Sequence, residues 1–132
     1  MKVKISNIML LSCGMLFVYL YAGLVSRQSM FERKETELQL KKIEEAINKY
    51  YEDTGYYPQN DEGLNALLST HPTDDKTLAR HSYGYIFNIP VDAWGTPYHY
   101  RYRSDGPFVI LSSSGPDKKM ATRDDIYIEI KP

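Results

Sequence analysis

From Ile5 to Val25 the chain reads ISNIMLLSCGMLFVYLYAGLV, with no charged side chain and with Ser6, Asn7 and Ser12 as its only clearly polar ones. In a helix, at about 1.5 Å per residue, this run covers roughly 30 Å, the thickness of a bilayer's hydrocarbon core. A chain of 132 residues builds too small a core to enclose a helix that is apolar all round. A cleaved signal peptide has a shorter apolar region and a small-x-small exit. Residues 1–25 are therefore expected to form an uncleaved, single-pass transmembrane helix carrying a domain over residues 26–132. Lys2 and Lys4 precede the run, and the positive-inside rule keeps them cytoplasmic, against Arg27 on the far flank. Cys13 is the only cysteine, so no intrachain disulfide can form. LLSCG echoes a lipoprotein cleavage box, but apolar residues continue well past Cys13.

No Pro or Gly interrupts the chain between Gly23 and Gly55. Within that stretch Leu40, Ile43, Ile47 and Tyr50 recur at helical spacing, while Lys41, Lys42, Glu44, Glu45 and Lys49 fall on the opposite side. The second half of one long helix should therefore pack on a domain and then stop at Gly55, with Pro58 preventing early resumption. YYPQNDEGLNALL follows as a turn and a short helix, capped by Asn60 or Asp61, with Leu64, Leu67 and Leu68 facing inward. HPTDDKTLARHSYGY is polar and loop-like.

Strands come last. Tyr98, Tyr100 and Tyr102 alternate with His99, Arg101 and Arg103, the period of two of a half-buried strand. Ser104-Asp105-Gly106-Pro107 makes a turn into the apolar strand Phe108–Leu111. Ile126, Ile128 and Ile130 alternate with Tyr127 and Glu129 in a final strand. Trp94, in DAWGTPY, is expected to anchor the core. The fold class is α+β: a long N-terminal helix whose amphipathic half is laid on a small antiparallel sheet.

Chemistry is sparse. A formal charge of −1 excludes a basic nucleic-acid binder on composition. His71, His81 and His99 lack the spacing of a metal site, and Ser112, Ser113 and Ser114 lack a nucleophile elbow. No paired carboxylates or nucleophile–base pair suggests an enzyme, and no small-molecule substrate is implied. The segment SSSGPDKKMATRDDI stands out because it gathers Asp117, Asp124 and Asp125 with Lys118, Lys119 and Arg123. It reads either as a calcium loop or as a solvated turn.

Three ordered motifs give the chain a resemblance. Tyr57, Pro58, Gly63, Leu64, Ala66 and Leu67 form the first; Pro90, Asp92, Trp94, Gly95, Pro97 and Tyr98 the second; Ser113, Gly115, Pro116, Asp117, Asp124, Asp125 and Ile126 the third. Together they resemble the major (G-type) pseudopilins of bacterial type II secretion systems. The resemblance implies a pilin-like fold and a structural subunit of a secretion pseudopilus. It also implies partners among other pseudopilin subunits and inner-membrane secretion components. The location implied is the bacterial inner membrane, with the N-terminus cytoplasmic and the C-terminal domain periplasmic.

Family members carry a basic leader cut after a glycine and a glutamate near the mature start. Counting back from Tyr57-Pro58 places that start near Met1 and puts Ile5 at the glutamate position, without a separate leader. A buried carboxylate is costly in lipid unless paired; Ile5 removes both the cost and the pairing. A second reading follows, in which the chain is a non-polymerising, membrane-tethered module that caps or regulates a fibre. The resemblance also implies Ca²⁺ in the third motif. Calcium takes six to eight oxygens, mixing carboxylates with carbonyls. Its implied ligands are the side chains of Asp117, Asp124 and Asp125 and carbonyls near Leu111 and Ser114. The alternatives are an Arg123–Asp117 ion pair in place of the metal, or a mobile turn.

Overall fold

The computed structural model describes residues 4–68 and 84–132, with side chains from Gly14 onward. Helix α1 runs Lys4–Thr54. It stops at Gly55, whose φ of +80° is a left-handed conformation that L side chains disfavour. The Gly55 N–H still donates to the Tyr51 carbonyl at 2.7 Å, and the Thr54 hydroxyl closes back onto the Tyr50 carbonyl at 2.7 Å.

Two compact units make up the chain, Met1–Arg33 and Lys34–Pro132. In the first, Met15, Leu16, Phe17, Val18, Leu20 and Leu24 are all exposed. The expected membrane span begins at Ile5, and its side chains through Cys13 lie outside the described residues. Among the described residues, no helix is long and apolar enough to cross a membrane.

The second unit holds the core. Leu40, Ile43, Ala46, Ile47 and Tyr50 line the inner stripe of α1, and all are buried. Lys41, Lys42, Glu45 and Lys49 face outward, as the periodicity requires, and Glu44, expected with them, is half-buried at the edge of the stripe. Full burial of each large aliphatic side chain in this stripe stabilises by about 1.5–3 kcal/mol relative to exposure. Across from it lies a three-stranded antiparallel sheet, β1 (His99–Arg103), β2 (Phe108–Ser113) and β3 (Ile126–Ile130), in the order β1-β2-β3. Tyr98, Val109, Leu111, Ile126 and Ile130 are buried with the helix stripe. His99, Arg101, Tyr127 and Glu129 stand on the outer face. The register sets His99 opposite Ser112 and Ser112 opposite Tyr127, so each outer row crosses all three strands.

Between helix and sheet, Gly63–Leu67 forms a 3-10 turn that buries Leu64, Ala66 and Leu67. Its N-cap is Glu62, with no side-chain capping bond, rather than Asn60 or Asp61. Asn60 is used elsewhere. Its amide donates to the Tyr102 carbonyl at 3.0 Å, and its side-chain oxygen accepts the Tyr102 N–H at 2.7 Å. A side chain thus occupies the outer edge of β1, a position where an exposed ladder invites another strand. The Tyr100 hydroxyl donates to the Pro58 carbonyl at 2.7 Å and the Tyr98 hydroxyl to Gln39 at 2.9 Å. Buried phenols require such partners. The polar stretch containing His71 and His81 lies largely outside the described residues.

Candidate functional site

The segment that gathers the aspartates leaves the end of β2 and returns as β3. Its root is a buried polar relay. Asp92 is only 3% exposed, yet its carboxylate is fully engaged. Oδ1 accepts the N–H groups of Trp94 and Thr96 at 3.1 and 2.7 Å, and Oδ2 accepts the Ser113 hydroxyl at 2.6 Å. The Ser113 oxygen in turn accepts the Gly115 N–H at 3.0 Å. Next to Asp92, the Ala93 N–H donates to Thr36 Oγ1 of α1 at 3.2 Å. A buried carboxylate without a cation is tolerable only when donors satisfy it in this way. The motif from Pro90 to Tyr98 thereby fixes both α1 and the start of the acidic loop. Trp94, expected to be the core anchor, is only partly buried against the core; Asp92 is the motif's deeply buried residue. The Asp-x-x-Gly spacing of a turn was the available signal for that role.

Beyond Ser114 the chain folds back on itself. Gly115 has φ +63°, and a Cβ there would lie 2.5 Å from the Asp124 carbonyl oxygen and 2.9 Å from its carboxylate. Only glycine fits this crossing. The Asp117 N–H donates to Asp124 Oδ2 at 3.1 Å, and the Thr122 hydroxyl to Asp124 Oδ1 at 2.5 Å. These bonds hold the Asp124 carboxyl below the usual carboxylate range. Asp117 accepts the Lys119 N–H at 2.8 Å, and Asp125 the Ala121 N–H at 2.8 Å. These two bonds flank Lys118 and Ala121, which adopt left-handed φ values of 58° and 66°. Each costs roughly 1–2 kcal/mol relative to a right-handed residue, and the aspartate acceptors offset that cost.

The donors of this loop match a hard cation in kind, since they are oxygens throughout: three carboxylates, Thr122, and the carbonyls at Leu111 and Ser114. The Ser114 hydroxyl is buried without a hydrogen-bond partner, which leaves one more oxygen in the loop's root uncommitted. In arrangement, the carboxylates are turned onto the loop's own N–H and hydroxyl donors. Among the described residues, no three acidic, histidine or cysteine side chains stand together as a metal-holding group. Arg123 makes no ion pair among the described residues, so the Arg123–Asp117 bridge is not formed. His99 is exposed on β1, while His71 and His81 lie outside the described residues. Ser113 donates to Asp92 and is fully buried, with no surface open to a substrate.

Comparison with known proteins agrees with this architecture. The sequence profile of type II secretion system (T2SS), protein G, matches residues 23–129. Type II secretion system core protein G of Escherichia coli K12 is 26% identical over 113 residues, covering 86% of this chain and 78% of that protein. The Aeromonas hydrophila core protein G is 28% identical over 115 residues, covering 86% and 79%. The crystal structure of the major pseudopilin from the type 2 secretion system of enterohaemorrhagic E. coli aligns with a TM-score of 0.64 at 28% identity. That alignment covers 79% of this chain and 91% of the other. A long helix on a three-stranded sheet, a glycine crossing before the acidic loop and a family profile over most of the residues lead to one assignment: the chain belongs to the type II secretion system protein G family.

Proposed function

We propose that the protein is a structural subunit of a type II secretion pseudopilus, rooted in the bacterial inner membrane by residues 1–25, with its domain in the periplasm. The observation that carries this reading is the family match over residues 23–129 on a fold that shares the pseudopilin architecture. Supporting the anchor, the helix from Met15 to Val25 exposes large apolar side chains, an arrangement suited to lipid and to neighbouring apolar helices. The proposed partners are other pseudopilin subunits and inner-membrane secretion components, and the role assigned is structural rather than catalytic. Chemical crosslinking in intact membranes tests it: a ladder of regularly spaced products is expected. One heterologous product and no ladder supports instead the capping module that Ile5 favours.

Calcium binding by the acidic loop belongs to the same proposal. Asp117, Asp124 and Asp125 would hold the ion with carbonyls near Leu111 and Ser114. The oxygen-only donor set and the unpartnered Ser114 hydroxyl support it. Bound there, calcium would supply charge neutralisation and loop order and no chemistry. Isothermal titration of the full chain in detergent with CaCl₂ should give saturable heat, lost in Asp124→Ala. No heat at millimolar calcium ends the metal reading.

A further inference from the structure

Phe87 is 94% exposed, and its ring makes no aromatic or cation–ring contact among the described residues. The backbone that displays it is held on both sides. Before it, the Tyr85 N–H donates to the Leu67 carbonyl at 2.8 Å and the Tyr85 hydroxyl to Asp53 of α1 at 3.0 Å. After it, the Ala93 N–H donates to Thr36 of α1 at 3.2 Å. Phe87 is thus an apolar knob on a fixed segment at the helix side of the domain. A ring carried on a backbone that is already ordered loses little freedom when it docks.

The outer face of the sheet, turned away from α1, carries a groove of about 480 Å³, within the range of pockets that enclose a small ligand. Ile110, Met120 and Tyr127 supply its apolar lining, and Arg101 and Asp125 its charges. An ion of either sign entering the groove meets a like charge there, so the groove favours a neutral occupant. The next row of the sheet shows what Arg101 lacks. Arg103 stands opposite Phe108, with its guanidinium 5.8 Å from the ring centroid, and Asp105 takes its charge. Arg101 stands opposite Ile110 instead, and it has no hydrogen-bond or ion-pair partner among the described residues. Met120 and Tyr127 are 45% and 66% exposed at the same opening. A neutral aromatic ring entering there meets a cation, a thioether and a phenol ring, each of which attracts an aromatic.

We propose that Phe87 of one copy of this chain inserts into the groove of a neighbouring copy, its ring lying between Arg101, Met120 and Tyr127. Knob and groove occupy opposite sides of one domain, so a copy does not fill its own groove. The contact is heterologous: each copy gives its ring to one neighbour and receives a ring from another, which builds a ring or a filament and not a two-fold pair. The inference rests on the reading of the protein as an assembling subunit, and it names the surfaces through which the domains meet.

The test coexpresses two full-length chains in bacterial inner membranes, both Cys13→Ser, one Phe87→Cys and the other Met120→Cys, with different tags. Mild copper–phenanthroline oxidation should give the mixed disulfide at least about tenfold above either same-variant disulfide. In the otherwise native chain, Phe87→Ser should shorten the ladder formed by an amine crosslinker, and Phe87→Trp should keep it. Phe87 and Met120 are exposed, so these variants keep core packing and the parent's thermal melt. Equal yields of the three disulfides report random collision and overturn the proposal. So does a Met120→Cys disulfide to a different envelope protein in place of the Phe87→Cys chain. An amine-crosslinked ladder without the mixed disulfide refutes this contact and leaves the subunit reading standing; absence of any ladder refutes both.

Discussion

Replacing Gly115 by alanine isolates the close approach on which the acidic loop is built. Two costs add at this position. At φ +63° an L side chain is strained by about 1–2 kcal/mol. The added Cβ would also lie 2.5 Å from the Asp124 carbonyl oxygen, an overlap with backbone that a rotamer change cannot relieve; forced repacking of that kind costs about 1–3 kcal/mol. The smaller conformational freedom of the unfolded alanine chain returns roughly 0.4–1 kcal/mol. The net expectation is a loss of about 1–4.6 kcal/mol. Gly95→Ala is the matched control, because Gly95 has φ +78° with nothing within 4 Å of a built Cβ. It should cost no more than about 1.6 kcal/mol. Urea unfolding of the full chain in detergent, followed through the single tryptophan, reads both. With m about 2 kcal/mol per molar, Gly115→Ala should lower the midpoint by about 0.5–2.3 M. Equal, small shifts in the two variants would refute the crossing of Gly115 over Asp124.

Asp92→Ala removes the acceptor of three donors at once, the Trp94 and Thr96 N–H groups and the Ser113 hydroxyl. A loss of at least about 3 kcal/mol is expected in the same urea assay; a loss under 1 kcal/mol would show that the relay is dispensable. Asp124 is held below the ordinary carboxylate range by Thr122 and the Asp117 N–H. Its stabilising contribution should therefore be complete above about pH 4 and vanish as pH falls through its lowered value, visible in an NMR titration as a carboxyl signal that protonates at lower pH than the other aspartates and moves back toward them in Thr122→Val. Burial pushes the hydroxyls of Tyr50, Tyr98 and Tyr100 well above the usual phenol range, and burial with the Asp53 hydrogen bond lifts Tyr85 to about 12. The unfolded chain ionises first, so this stability is whole below about pH 10 and lost as pH climbs beyond it. Tyrosinate absorbance should rise together with unfolding; smooth ionisation of all twelve tyrosines without unfolding contradicts the burial.

Periodicity alone specified the helix stripe of Leu40, Ile43, Ile47 and Tyr50, the stop at Gly55, the alternation of β1 and the inward isoleucines of β3. Each is a local rule repeated along the chain: a side-chain period that has one solution when one face must be buried, or a glycine that accepts a left-handed turn. The order of the motifs was equally legible, and the family with it. Asn60 illustrates the limit. From neighbouring residues it reads as a helix cap, but its amide finds a better pair of partners 42 residues away in β1.

Long-range geometry decided the rest. That Asp92 rather than Trp94 lies deepest in its motif depends on Ser113, 21 residues on. That the three aspartates turn to the loop's own N–H donors depends on backbone angles at Lys118 and Ala121 that composition does not encode. The groove beside Arg101 exists only because one loop crosses a sheet whose register aligns His99, Ser112 and Tyr127. Spacing fixes which side of an element a residue occupies; only folding determines which distant donor, cation or ring it then meets, because those encounters are set by chain crossings and not by sequence neighbours.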